Sequence, residues 1–212
     1  MIEYCNLSER HEEQILALYK ENFKILYGEV YDPEKVKREI QTYQVVVAEQ
    51  AGRVLGFGVS TDLASGIGYP GVSELTAMRR SLMWAKGTTE KKAKFKTFYE
   101  QKAKKQGGKA VTRHYNNKFL RETTEVHPED FYFSAVAVDK KFQNMGIATE
   151  ITRRRIEIAR QSGATAIFAD TRIKSASKHI FQKFRFSLML LRGPTGDNNE
   201  ASLLMGKRLR KK

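Results

Sequence analysis

A single cysteine, Cys5, excludes an intramolecular disulfide framework. The four histidines (His11, His114, His127 and His179) lie far apart, so no Cys/His group has metal-ligand spacing and no metal site is expected. Prolines number only four, and no low-complexity tract interrupts the chain. No apolar run approaches the ~20 residues that a membrane-spanning helix needs. The stretch from Met1 to Glu13 is polar and has no apolar signal-peptide core. These absences together point to a cytoplasmic protein. No Gly-Lys-Ser/Thr motif is present, which argues against a Walker-type nucleotide site.

What is present suits one folded domain. The chain has 212 residues, 41% hydrophobic and 29% charged, enough to bury a core and stay soluble. Its net charge of +14 is concentrated in two segments. Residues 79–121 hold fourteen Lys/Arg against two acidic residues, Glu90 and Glu100; the tail adds Lys207, Arg208, Arg210, Lys211 and Lys212. The remainder is mildly acidic.

The residue pattern predicts a short strand over 2–7, then a helix capped by Ser8 with Ile15, Leu18 and Tyr19 on one face. A second helix over 32–42 has Asp32 as cap and Pro33 at its first position. Strands over 43–48 and 54–60, joined at Gln50-Ala51-Gly52-Arg53, form a hairpin; Gly56 and Gly58 mark a bulge or a close backbone approach. Residues 62–130 break the rhythm and read as an insertion with two helices, 73–86 and 88–106. A strong strand over 131–138 follows, then a helix over 147–161 with Gly163 at its end, a strand over 166–170, a helix over 174–184, and strands over 186–191 and 201–209. Ile147, Ala148, Ile151, Ile158 and Ala159 make the apolar face of the long helix. The expectation is a single α/β domain, 1–212, with a mixed sheet.

The chemistry concentrates in Val136-Ala-Val-Asp-Lys-Lys-Phe-Gln143-Asn-Met-Gly146-Ile-Ala148-Thr149. A strand ends, a short basic loop follows, and a turn of small residues opens a helix. Such a helix start leaves backbone N–H groups unpaired where the dipole favours an anion. Gly146 and Ala148 let a phosphate approach closely, so the segment reads as a pyrophosphate cradle. The alternative is a tight turn and nothing more.

Gln143, Gly146 and Ala148 resemble the acyl-CoA motif of the GNAT superfamily of N-acyltransferases, Gln/Arg-x-x-Gly-x-Gly/Ala. The resemblance covers residues 131–186 and, more loosely, the hairpin and the last strands. It implies a mostly antiparallel sheet flanked by helices, here with a basic helical insertion, and acetyl-CoA or another acyl-CoA as co-substrate. It further implies that Val136, Ala137 and Val138 hold the pantetheine arm, and that the amides of Asn144, Met145, Gly146, Ile147, Ala148 and Thr149 hold the pyrophosphate. A second family segment aligns with Lys174, Ser177, Phe181, Arg185 and Phe186, which puts Lys174, Ser177 and Phe181 beside the cofactor. Phe181 stands where the family usually has the Tyr that protonates the departing thiolate. No carboxylate stands on the 131–138 strand to serve as base; Tyr132 and Ser134 are the candidates there, with Glu125, His127, Glu129 and Asp130 just before it.

Residues 79–121 admit two readings. In one, the lysines line a solvated helix face and Phe95, Phe98 and Tyr99 form its buried stripe. In the other, the segment binds a polyanion: RNA, an acidic protein or anionic lipid. The leading function is acyl transfer from acyl-CoA to an amine. The alternatives are a non-catalytic acyl-CoA-binding sensor or scaffold, and a nucleic-acid-directed acyltransferase.

Overall fold

The computed structural model describes residues 1–23, 32–63, 113–115, 129–172, 175–192 and 202–209. The two expected insertion helices, and all of the basic segment 79–121 except 113–115, lie outside the described residues. The chain runs β1 (Glu3–Asn6), a short 3-10 turn, α1 (Glu12–Phe23), α2 (Pro33–Thr42), β2 (Gln44–Gln50), β3 (Arg53–Asp62) and β4 (Arg113–Tyr115). Then come β5 (Phe131–Val138), α3 (Ile147–Gln161), β6 (Ala166–Arg172), α4 (Ala176–Lys183), β7 (Ser187–Arg192) and β8 (Ser202–Arg208). Among the described residues the strands form one sheet in the order β1-β2-β3-β5-β6-β8-β7-β4. Every neighbouring pair is antiparallel except β5–β6. The mixed, mostly antiparallel sheet flanked by helices is thus observed.

Two apolar layers sandwich the sheet. On one face Ile15 and Leu18 of α1 and Val36 and Ile40 of α2 pack on Val45, Val47, Phe57, Val59, Ala135 and Ala137. On the other, Ile147 and Ile151 of α3 pack on Val46, Ala48, Leu55 and Val138, while Ile156 and Ala159 join Phe131, Phe133, Ile167 and Ala169. Strand β5 is covered on both faces, hence its near-continuous apolar sequence. Local signals hold the helices in place. The Asp32 carboxylate accepts from the amides of Glu34 and Lys35 at 3.0 and 3.2 Å, with Pro33 next in line. Helix α3 closes through Ala164 N–H to the Ala159 carbonyl at 3.1 Å, as the Gly163 signal implied.

The buried face of α3 departs from the apolar pattern. Alongside Ile147, Ile151, Ile156 and Ala159 it buries Thr152 and Arg155, whereas Ala148 and Ile158 are only partly covered. Gly56 and Gly58 answer to close approach: a Cβ on Gly58 would lie 2.6 Å from Ile151 Cγ2 and 2.9 Å from Arg155 Cδ, and one on Gly56 would lie 2.8 Å from the Ala137 carbonyl oxygen. Of the acids preceding β5, Asp130 is fully buried. Its carboxylate accepts from Thr165 N–H, Thr165 Oγ1 and Ala166 N–H at 2.8–3.0 Å, clamping the start of β6 to the start of β5. It is a structural anchor.

Candidate active site

Strand β5 pairs with β3 along its whole length but with β6 only at Phe131, Tyr132 and Phe133. Beyond Phe133 the two parallel strands part, while the other edge of β6 stays paired with β8 along its whole length. The edge of β5 facing β6 therefore has no strand partner from Ser134 onward among the described residues. Asp139 N–H donates to the Leu55 carbonyl at 2.8 Å, so alternation commits Ala137 to the β3 ladder and turns the backbone groups of Val136 and Val138 toward the opening. Of the three residues expected to offer backbone to a ligand, only Val136 and Val138 can. The Val138 carbonyl already accepts from Gln143 Nε2 at 3.2 Å, which ties the motif glutamine to the strand end. Across the opening, Thr171 Oγ1 is buried and has no hydrogen-bond partner among the described residues.

The opening leads into the turn before α3. Asp139 caps this turn by accepting from Lys141 N–H at 2.9 Å, and Arg53 pairs with it at 2.6 Å. The Lys141 amide, helped by Arg53, holds the Asp139 carboxyl below its ordinary range. Asn144 (φ 64°) and Gly146 (φ 82°) take left-handed conformations, and Gly146 serves as the N-cap of α3 with no side chain capping it. The N–H groups of Ile147, Ala148 and Thr149 consequently have no intrahelical acceptor. Space beyond Gly146 is open: a Cβ there would meet nothing within 4 Å. Gln143, Asn144 and Met145 are exposed, while the buried Ile147 anchors the helix start. Glu150, the acid of this first turn, is paired by Arg153 and Arg154 at 2.6 and 3.0 Å, so its charge is offset toward an approaching anion.

The remaining expected residues scatter. Ser177 is partly exposed in the first turn of α4, where Ser175, which sequence reasoning passed over, caps the helix by accepting from Ser177 N–H at 3.1 Å. Lys174 lies outside the described residues. His179 is exposed. Phe181 is 3% exposed, with its ring centroid 5.0 Å from that of Phe186, in the cluster with Phe133 and Ile156. Phe181→Tyr is therefore expected to bury an unpartnered hydroxyl and lose about 1–3 kcal/mol. Thermal denaturation should show a lower midpoint, with CoA binding unchanged; a variant as stable as the wild type would place the ring at the opening after all.

Tyr132 and Ser134 both sit where β5 and β6 part. Tyr132 Oη donates to Asp170 Oδ2 at 2.6 Å. A carboxylate thus reaches β5 from the neighbouring strand, within Ala-Ile-Phe-Ala-Asp-Thr-Arg, where an acid in a buried run was the available signal. Ser134 is the extra residue of a bulge, because the register steps from Val59↔Ala135 to Ser60↔Phe133. Its Oγ donates to the Val59 carbonyl at 3.2 Å.

Folding also assembles Cys5, His11 and Glu49, whose ligand-type atoms lie within 4.8 Å of one another. The Glu49 carboxylate is already engaged by Arg10 at 2.6 Å and His11 Nε2 at 3.1 Å, and Ser8 N–H donates to His11 Nδ1. The cluster stitches the 3-10 turn (Glu9–His11) to β2.

An α/β protein whose parallel strands part toward an uncapped helix start is built to admit an elongated anionic ligand into its sheet. A sequence model of the acetyltransferase (GNAT) family matches residues 12–186, and the chain belongs to that family. The fold is shared with the ribosomal-protein-S18-alanine N-acetyltransferase from Escherichia coli (10% identity, 100% of this chain and 96% of that one covered, TM-score 0.58). It is shared also with the ribosomal-protein-alanine N-acetyltransferase from Brucella melitensis (14%, 98% and 99%, 0.61). A third similar structure is yncA from Salmonella typhimurium, with its cofactor acetyl-CoA (13%, 100% and 96%, 0.60). No curated protein sequence matches the chain.

Proposed function

We propose that the protein transfers an acyl group from acyl-CoA to an amine. One observation carries this reading: the edge of β5 at Val136 and Val138, without a strand partner among the described residues, leads toward the uncapped start of α3 at Gly146. The edge suits the amide-bearing pantetheine arm, with Thr171 Oγ1 available across the opening, and the helix start suits the pyrophosphate. Solved members of the same fold carry CoA or acetyl-CoA. Ser177 and, by the family resemblance, Lys174 stand as further cofactor contacts.

In this reaction the amine nitrogen attacks the thioester carbonyl carbon, a tetrahedral intermediate forms, and the C–S bond breaks to release the CoA thiolate. A backbone N–H on the free edge of β5 polarises the carbonyl. In this reading the Tyr132–Asp170 pair, beside the last β5–β6 pairing, receives the amine proton. With a thiol pKa of about 8.5, the leaving thiolate needs no acid from Phe181. An anionic partner for residues 79–121 is supported by their charge alone.

The buried, hydroxyl-free Phe181 favours one second reading, a non-catalytic acyl-CoA-binding module. Incubating the protein with acetyl-CoA and a pool of peptide, polyamine and small-molecule amines separates the two. Free thiol should appear faster with the pool than without it. Binding of acetyl-CoA with no amine-dependent thiol release would leave the binding module.

A further inference from the structure

Arg155 is a cation in the core with no anion beside it among the described residues. The residue is 1% exposed on the face of α3 that covers the sheet. Its Nε donates to Ser60 Oγ at 2.8 Å, and one terminal nitrogen donates to the Val59 carbonyl. Cζ lies 3.9 Å from the centre of the Phe133 ring, and the other terminal nitrogen has no hydrogen-bond partner among the described residues. No carboxylate among the described residues pairs with it. Gly58 is bare where the arginine crosses β3, since any Cβ there would strike Arg155 Cδ and Ile151.

These contacts converge on one place. Val59 and Ser60 are the two β3 residues between which the β5 bulge falls, and Phe133 and Ser134 are the β5 residues beside it. The Val59 carbonyl receives both the Arg155 guanidinium and the Ser134 hydroxyl. Arg155 is therefore tied through one oxygen atom to the residue at which β5 loses β6 and its free edge begins.

We propose that Arg155 is a positioning residue for acyl transfer, fixing the Ser134 bulge and supplying an uncompensated positive field beneath the free edge of β5. The proposal rests on the acyl-CoA reading of that edge. A buried charge without a partner is costly to the fold, and the rest of this helix face is satisfied by Ile151, Ile156 and Ala159. A leucine or methionine would pack there without the cost, so stability does not account for an arginine. Its use is electrostatic: away from water, a fixed charge acts strongly on the negative charge that grows on the thioester oxygen as the amine attacks. Burial pushes the guanidinium pKa down to about 9, which still leaves it charged at neutral pH. The same carbonyl-centred clamp sets where the backbone of Ser134, Ala135 and Val136 sits relative to that oxygen.

The test reads polarisation directly and needs no acceptor. Acetyl-CoA labelled with carbon-13 at the carbonyl is bound to the wild type and to Arg155→Met, and the thioester C=O stretch is followed by difference infrared spectroscopy. In the wild type the stretch should move to lower frequency on binding. Arg155→Met should melt at or above the wild-type temperature and still bind acetyl-CoA, with the stretch returned close to its value in solution. Arg155→Lys, which keeps the charge, should recover part of the shift. With an acceptor in hand, amine-dependent thiol release should fall about a hundredfold in the Met variant, the scale of losing one oxyanion-stabilising group. A wild-type stretch in Arg155→Met overturns the proposal, as does a Lys variant indistinguishable from Met. A Met variant that loses stability without changing the stretch shows a structural arginine. Failure of the wild type to bind acetyl-CoA would instead remove the acyl-CoA reading, and this proposal with it.

Discussion

Gly146→Glu is expected to abolish the stabilisation of this protein by CoA while leaving it folded. Gly146 sits at φ 82°, where a side chain costs about 1–2 kcal/mol, and a Cβ there meets nothing within 4 Å. The fold can bear that strain. The ligand cannot bear the substitution, because a carboxylate then occupies the place and the sign of charge that the N–H groups of Ile147, Ala148 and Thr149 offer to a phosphate. At a CoA concentration one hundred times the dissociation constant, binding contributes about 2.7 kcal/mol to the wild type, and the variant should gain none of it. Thermal melts with and without CoA measure the difference. A variant stabilised as strongly as the wild type would place the phosphates elsewhere.

Asp130→Ala should produce the largest loss of stability among single polar substitutions in the described residues. Its carboxylate takes three donors, and side-chain removal leaves the amides of Thr165 and Ala166 and the Thr165 hydroxyl facing a buried gap. A hydrogen bond to a charged group contributes about 1.5–3 kcal/mol, and coupling among the three makes a loss of about 3 kcal/mol or more the expectation. Asp130→Asn keeps one acceptor oxygen and should lose less. Urea unfolding reads both, and CoA binding by the folded fraction should be unaffected by either. If Asp130→Ala unfolded at the wild-type urea concentration, the clamp between β5 and β6 would not exist as described.

The reading of Asp130 shows where a sequence misleads. Next to a strand that carries Tyr132 and Ser134, an acid invites the role of base. What decides otherwise is the position of Thr165 and Ala166, more than thirty residues away, which the chain brings beneath it. The acid that does meet β5 is Asp170, delivered by β6 in parallel register, and only that pairing puts its carboxylate 2.6 Å from the tyrosine. Phe181 and Arg155 fail the pattern in opposite ways. One is an aromatic aligned with a family site and turned into the core; the other is a charged residue whose type suggests solvent, although it lies four residues from both Ile151 and Ala159 on the face that the sheet buries.

Local chemistry was enough for the parts whose causes are local. β5 and α3 occupy the residues that their apolar runs delimit, Asp32 and Pro33 open α2, and the small residues from Gln143 onward open α3 at Gly146 with no side-chain cap. The family and the class of co-substrate follow from those same few positions. Tertiary structure alone decided the rest: the parting of β5 from β6, the bulge at Ser134, the Tyr132–Asp170 contact and the burial of Arg155 with no carboxylate paired to it among the described residues. Each of these depends on the register between strands, or on packing between a helix and a sheet, and residues far apart in sequence jointly set both.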